Sequence, residues 1–189
     1  LTLCSPSNMI FSDKEIVSML RAEKKEQAFN ALVQEYKERL YWHIRRFTCS
    51  HEDADDLLQE TFIKIWGALD SFKGASSLFT WVYKIATNEA LNFLRKKKVR
   101  SILQMESLEN VLWKKIDEDP YFNGNEVQRQ LHKAIQKLPE KQRLVFNLRY
   151  FDELSYNEIS EILNTSPGSL KASYHHAYVK IKDELEKYF

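Results

Sequence analysis

The chain of 189 residues has few of the residues that interrupt regular structure, with four glycines, four prolines and only two cysteines. Scarce Gly and Pro beside abundant Leu, Ile, Glu and Lys favour helices, and no alternating β-branched run is long enough for a sheet. Cys4 and Cys49 are too few and too far apart for a disulfide framework or a thiolate metal site, so a reducing cytoplasm is the expected setting. No stretch approaches the roughly 20 apolar residues of a membrane span, and LTLCSPSNMIF lacks the basic lead-in and apolar run of an export signal. Neither insertion in a membrane nor export is expected. A P-loop, a Gly-rich dinucleotide turn, a Cys/His ligand pattern and a nucleophile motif are all missing, which argues against an enzyme and against any cofactor or metal.

The length suits two small domains, and the formal net charge of +1 conceals how the charge is distributed. Positions 51–60 hold five carboxylates and no Lys or Arg, whereas Arg95, Lys96, Lys97, Lys98 and Arg100 follow within one short run. In DADDLLQETFIKIW, helical spacing puts Leu58, Phe62, Ile65 and Leu69 on one face and Asp53, Asp56 and Glu60 on the other. The first face reads as core and the second as an acidic surface. Past a small-residue break, TWVYKIATNEALNFLRKKKVR lines Trp81, Lys84, Asn88, Asn92 and Arg95 along one stripe, with Tyr83, Ala86, Ala90 and Leu94 opposite. A protein partner for the acidic helix and nucleic acid for the stripe follow from these residue types.

Caps place the helix starts: Ser12 with Glu15, Ser50 with Asp53, and Ser155 with Glu158. Helices are expected over 13–22, 26–48, 51–69, from 78 past Arg95, 126–137, 139–150, 155–163, and from Pro167 onward. Between Gln104 and Asn125 the periodicity weakens around Pro120 and Gly124, which predicts a linker, partly docked through Leu108, Val111, Leu112 and Trp113. A short helix, a three-residue turn and a long final helix capped by Ser166 with Pro167 at its first turn have helix-turn-helix spacing. Leu170, Tyr174, Ala177 and Ile181 turn inward there, leaving Ser169, Lys171, Ala172, His175 and His176 outward. Spacing alone also fits an ordinary bundle, and adjacent histidines diverge too far around a helix to chelate one ion.

Three blocks, DADDLLQETFIKIW, FKGASSLFTWVYKIATNEALNFLRKKK and LPEKQRLVFNLRYFDELSYNEISEIL with its final helix, occur in the order found in extracytoplasmic-function sigma factors of the bacterial sigma-70 family, which this chain resembles from about Glu26 onward. The resemblance implies an all-α protein of two small helical domains, residues 1–103 and 126–189, joined by a linker at 104–125. It implies a factor that binds core RNA polymerase and directs it to promoters, with an anti-sigma factor as a further partner. Asp56, Gln59, Glu60 and Ile63 match the polymerase-docking positions. Phe72, Lys73, Ser76, Ser77, Lys84, Asn88, Arg95 and Lys96 match those that melt and hold the minus-ten element. Ser169, Lys171, Ser173, His175 and His176 match the reader of the minus-thirty-five element.

That last helix lacks the arginines common in the family, so a different upstream motif or weaker base readout is expected. Histidines gaining charge below about pH 6.5 would strengthen its DNA contact. The competing reading is an autonomous helix-turn-helix regulator with an N-terminal sensor or dimerisation bundle, which would need no acidic dock. Packing of acidic against basic faces is also expected to mask DNA binding in the free factor.

Overall fold

Local signals set most helix ends. Ser12 and Ser155 form reciprocal boxes with Glu15 and Glu158, opening α1 (Asp13–Arg21) and α8 (Tyr156–Leu163). Ser50 caps α3 (His51–Ala68) in one direction only. The Asp53 carboxylate that would close that box is drawn to Lys97 and Lys115 instead. The computed structural model describes residues 11–103, 107–117 and 126–188, with no strand among them. The expectations placed on Cys4, Pro120 and Gly124 lie outside the described residues.

The long α2 (Lys25–Thr48) is the spine of the N-terminal half. Leu32, Tyr36, Leu40, Ile44 and Phe47 recur at helical spacing and are buried against α1, α3 and α4 (Leu78–Leu103). From α3 come Leu58 and Ile65, and a 3-10 turn, Leu69–Ser71, follows. The face of α4 predicted to be apolar is buried throughout, at Tyr83, Ala86, Ala90 and Leu94. Cys49 closes α2 in the left-handed region, and burial pushes its thiol up to about 11, which keeps it unreactive.

Within 104–125 lies a helix, α5 (Leu108–Asp117), docked by buried Leu112 and Ile116. The Lys137 ammonium sits 5.0 Å above the Trp113 ring. Beyond it, α6 (Glu126–Gln136), α7 (Glu140–Phe146) and α9 (Pro167–Leu185) share a cluster of Ala134, Ile135, Leu138, Phe146, Ala177 and Ile181. Leu144, Val145, Leu148, Leu154, Ile159 and Ile162 instead belong to the N-terminal core, because α8 packs directly on α4.

The helix expected to run unbroken to Tyr150 widens into a π turn over Asn147–Phe151, closed by the Asp152 N–H donating to the Asn147 carbonyl at 3.2 Å. Glu153 then takes a left-handed φ of 57°. Together these turn Asp152 into the N-terminal half. His43 Nδ1 lies 2.8 Å and Arg46 Nη1 2.6 Å from its two carboxylate oxygens. The Thr87 hydroxyl meets the other nitrogen of His43 at 3.2 Å. Burial raises the Asp152 carboxyl, but His43 and Arg46 outweigh it and hold the group below the usual carboxylate range.

Candidate polymerase and nucleic-acid interfaces

Asp56, Gln59, Glu60 and Ile63 lie within two turns along one side of α3 and are all exposed. Ile63 is 70% exposed, while Leu58 and Ile65 on neighbouring turns are buried. An isoleucine left in water amid carboxylates is what a protein partner would cover. Trp66, 39% exposed and edge-on to Phe29 at 5.0 Å, extends this apolar spot by one turn. Sequence reasoning missed it, although its i+3 spacing from Ile63 was a usable signal. Asp53, at the head of the face, is engaged by the basic tail of α4 and by α5. Burial raises its carboxyl, but hydrogen bonds from Lys115 and Lys97 prevail and lower it.

At the start of α4 the half-buried Phe72 and Trp81 rings meet at 5.3 Å. Trp81 therefore supports the loop from beneath. Gly74 has φ +73°, a turn geometry that disfavours other residues, and leaves Lys73 and Ala75 exposed. Ser77, although exposed, serves as the helix cap: its hydroxyl accepts from the Thr80 N–H at 3.0 Å and donates to Thr80 Oγ1 at 2.8 Å. Asp13 adds a second cap, with Oδ2 accepting from the Phe79 N–H at 3.2 Å and Oδ1 from the Tyr36 hydroxyl at 2.5 Å. Nothing local announces that carboxylate as a cap for a helix 66 residues away. Along the stripe, Asn88, Asn92, Arg95 and Lys96 are exposed, and Ser76 and Lys84 are half-buried.

On α9, Ser166 accepts from the Ser169 N–H at 3.4 Å with Pro167 in the first turn. Lys171, His175 and His176 are exposed; Ser169 and Ser173 are half-buried. Tyr174 is a packing residue, stacked on Phe146 at 5.6 Å. Lys141 of α7, which the sequence did not single out, reaches the Ser169 hydroxyl at 3.4 Å and places a cation beside the start of α9. Among the described residues no three His, Cys, Asp or Glu side chains are grouped to hold a metal, and no helix is long and apolar enough to cross a membrane.

The acid-to-base packing of the two halves expected from the sequence is confined to a few contacts. The two halves meet through the apolar back of α4, α8 and the buried Asp152 network, and Asn88, Arg95, Lys96, Lys171, His175 and His176 remain exposed. Charge pairing contributes the Asp53 node and a 3.9 Å contact between Arg95 and Glu140.

A helical bundle with an exposed acidic face, followed by a unit of helix-turn-helix spacing, fits a transcription initiation factor, and the comparisons agree. Residues 32–100 match Sigma-70 region 2 and residues 128–181 match Sigma-70, region 4. The chain is 32% identical over 175 residues to the ECF RNA polymerase sigma-E factor of Escherichia coli K12, covering 88% of this chain and 91% of that protein. To ECF RNA polymerase sigma factor SigW of Bacillus subtilis it is 33% identical over 168 residues, covering 85% and 90%. Among solved structures, the fold is similar to the sigma factor RpoE in complex with the anti-sigma factor NepR from Bartonella quintana (TM-score 0.65, 22% identity, 84% and 96% covered). It is also similar to CnrH in complex with the cytosolic domain of CnrY (TM-score 0.66, 21% identity, 93% and 99% covered). The chain belongs to the extracytoplasmic-function group of the sigma-70 family. It is a sigma factor of transcription initiation, not an autonomous helix-turn-helix regulator.

Proposed function

We propose the following division of labour within this sigma factor. Residues 1–103 dock on core RNA polymerase and open the minus-ten element, 104–125 connect, and 126–189 read the minus-thirty-five element. Asp56, Gln59 and Glu60 pair with a basic helix of the polymerase while Ile63 is buried against it. Asn88, Lys84 and the loop Lys73–Ser76 receive an extruded base of the non-template strand, with Phe72, Ser77 and Trp81 shaping that pocket. Unstacking a base costs a few kcal/mol, which such contacts offset. Arg95 and Lys96 hold phosphates. Lys171, His175 and His176 face the upstream groove, with Ser169 and Ser173 at its margin. The factor supplies recognition and strand capture, leaves catalysis to the polymerase, and works in the cytoplasm. The complexes of RpoE with NepR and of CnrH with CnrY support an anti-sigma factor as a further partner.

The observation that carries this reading is the exposed Ile63 within an otherwise acidic face. Run-off transcription with purified core polymerase on a genomic promoter pool tests it. The factor should direct discrete transcripts, and Glu60→Arg should abolish them. Specific operator binding by the chain alone, without stimulation of core polymerase, would overturn it.

A further inference from the structure

Lys64 is the single Lys or Arg of α3, and it stands one turn after Glu60 on a helix that carries five carboxylates. A Glu followed four residues later by a Lys is the spacing and order in which helical ion pairs form best. That pair is not made. The Lys64 ammonium crosses to α4 and binds the Glu89 carboxylate, 25 residues away. Burial decides between the two acceptors. The Glu89 side chain is 10% exposed, and a carboxylate so placed is costly to leave uncompensated, whereas Glu60 lies in water and gains little from an exposed pair. Both carboxylates line one cleft of about 210 Å³ between the helices, so an ammonium released by Glu89 has Glu60 as its nearest alternative on α3.

Elsewhere on α3, carboxylates are taken wherever a cation arrives. Asp53 is engaged by Lys97 and Lys115, and Asp55 lies 3.2 Å from His51. Asp56 and Glu60 have no ion-pair partner among the described residues, and they share the side of α3 that exposes Ile63. We propose that Glu89 is a positioning residue for the polymerase dock: by drawing Lys64 away from Glu60, it keeps that carboxylate unpaired for a cation of the polymerase. Glu89 does this from α4, beside Asn88, without contacting the polymerase itself. Its role rests on the docking of α3 proposed above, whereas the choice of Lys64 between two carboxylates does not.

The test uses the full chain. Glu89→Gln keeps the shape of the side chain and removes its charge, so Lys64 should turn to Glu60. Affinity for core polymerase, measured by anisotropy of the labelled factor at about 0.1 M salt, should then fall about three- to fivefold. Lys64→Gln alone should stay within about twofold of wild type, and added to Glu89→Gln it should restore the affinity, a rescue that a damaged fold would not give. A loss that persists in the double variant would overturn the proposal, as would no loss in Glu89→Gln while Glu60→Arg still abolishes binding. The position of the ammonium is read without polymerase by carbodiimide coupling, which joins a lysine directly to the carboxylate it touches, followed by peptide mass spectrometry. Lys64 should couple to Glu89 in the wild type and to Glu60 in Glu89→Gln; coupling to Glu60 in the wild type would also overturn the proposal. If coupling moves as expected but neither Glu89→Gln nor Glu60→Arg alters polymerase binding, the docking assignment and the role of Glu89 in it are refuted, while the ion-pair choice stands.

Discussion

Truncation of Ile63 isolates the polymerase dock from the fold. Ile63→Ala removes roughly three methyl or methylene groups, each worth about 0.8 kcal/mol when taken out of water. Since Ile63 is 70% exposed in the free factor, about 1.7 kcal/mol of that is gained only when a partner covers it. The dissociation constant for core polymerase should therefore rise roughly fifteen- to twentyfold. Folding should be nearly unaffected, because alanine is the better helix former and little packing is lost, so stability should stay within about 0.5 kcal/mol of wild type. Fluorescence anisotropy with labelled factor, titrated with core enzyme at fixed salt, measures the first quantity; thermal unfolding measures the second. A rise of less than about threefold, under ~0.7 kcal/mol, would refute the burial of Ile63 in the complex.

Reversing both Asp56 and Glu60 to Arg should weaken polymerase binding by at least about tenfold, more at low salt than at high, whereas a salt-independent loss would indicate misfolding. Asn88→Ala should weaken capture of a single-stranded minus-ten oligonucleotide by the holoenzyme about five- to tenfold, as expected for one lost hydrogen bond. Retention on duplex upstream DNA should be unchanged, and equal losses on both probes would count against a base pocket. Asp13→Ala removes the acceptor of the buried Tyr36 hydroxyl and a cap of α4, so urea unfolding should show a loss of about 2 kcal/mol. The Asp53 carboxyl is lowered in the folded state, so its contribution to stability is present above its unfolded value and is lost as pH falls through the lower folded value. Asp53→Asn should flatten the acid limb of the stability profile; an unaltered limb would mean that the Lys97 and Lys115 contacts are not maintained in solution.

Signals confined to a few residues were legible in the sequence. The Ser12 and Ser155 boxes, the Ser166 cap with Pro167, and the apolar rows of α3, α4 and α9 all depend on neighbours within two turns, and the structure contains them. Ile63 entered through the family resemblance, and the structure shows it as an apolar residue on a polar face. What escaped notice joins distant segments. Asp13 meets Phe79 across 66 residues and Asp152 meets His43 across 109, and neither carboxylate has a local partner to announce it. Ser77 looked like a loop hydroxyl available to DNA because its competing use, capping α4, depends on where that helix begins. The π turn was hidden because one extra residue per turn leaves the apolar pattern of Leu144, Val145 and Leu148 intact.

Charge segregation suggested that the two halves would meet acid to base, yet they meet chiefly through apolar surface. The reason lies in relative desolvation. Apart from Asp53 and Lys97, which pair with each other, the carboxylates of α3 and the cations after Arg95 are largely exposed, so pairing them across a domain contact gains little once side-chain entropy and salt are counted. Covering the apolar back of α4 with Leu154, Ile159 and Ile162 gains roughly 25 cal/mol for each Å² removed from water and has no such competitor. A contact driven by apolar area alone would tolerate sliding, because neighbouring registers bury similar surface. Asp152 removes that freedom, since any slip leaves a carboxylate stranded in a site where only His43 and Arg46 compensate it. Apolar area therefore sets the strength of the contact and the ion network its register, while Asp56, Glu60, Arg95 and Lys96 stay exposed.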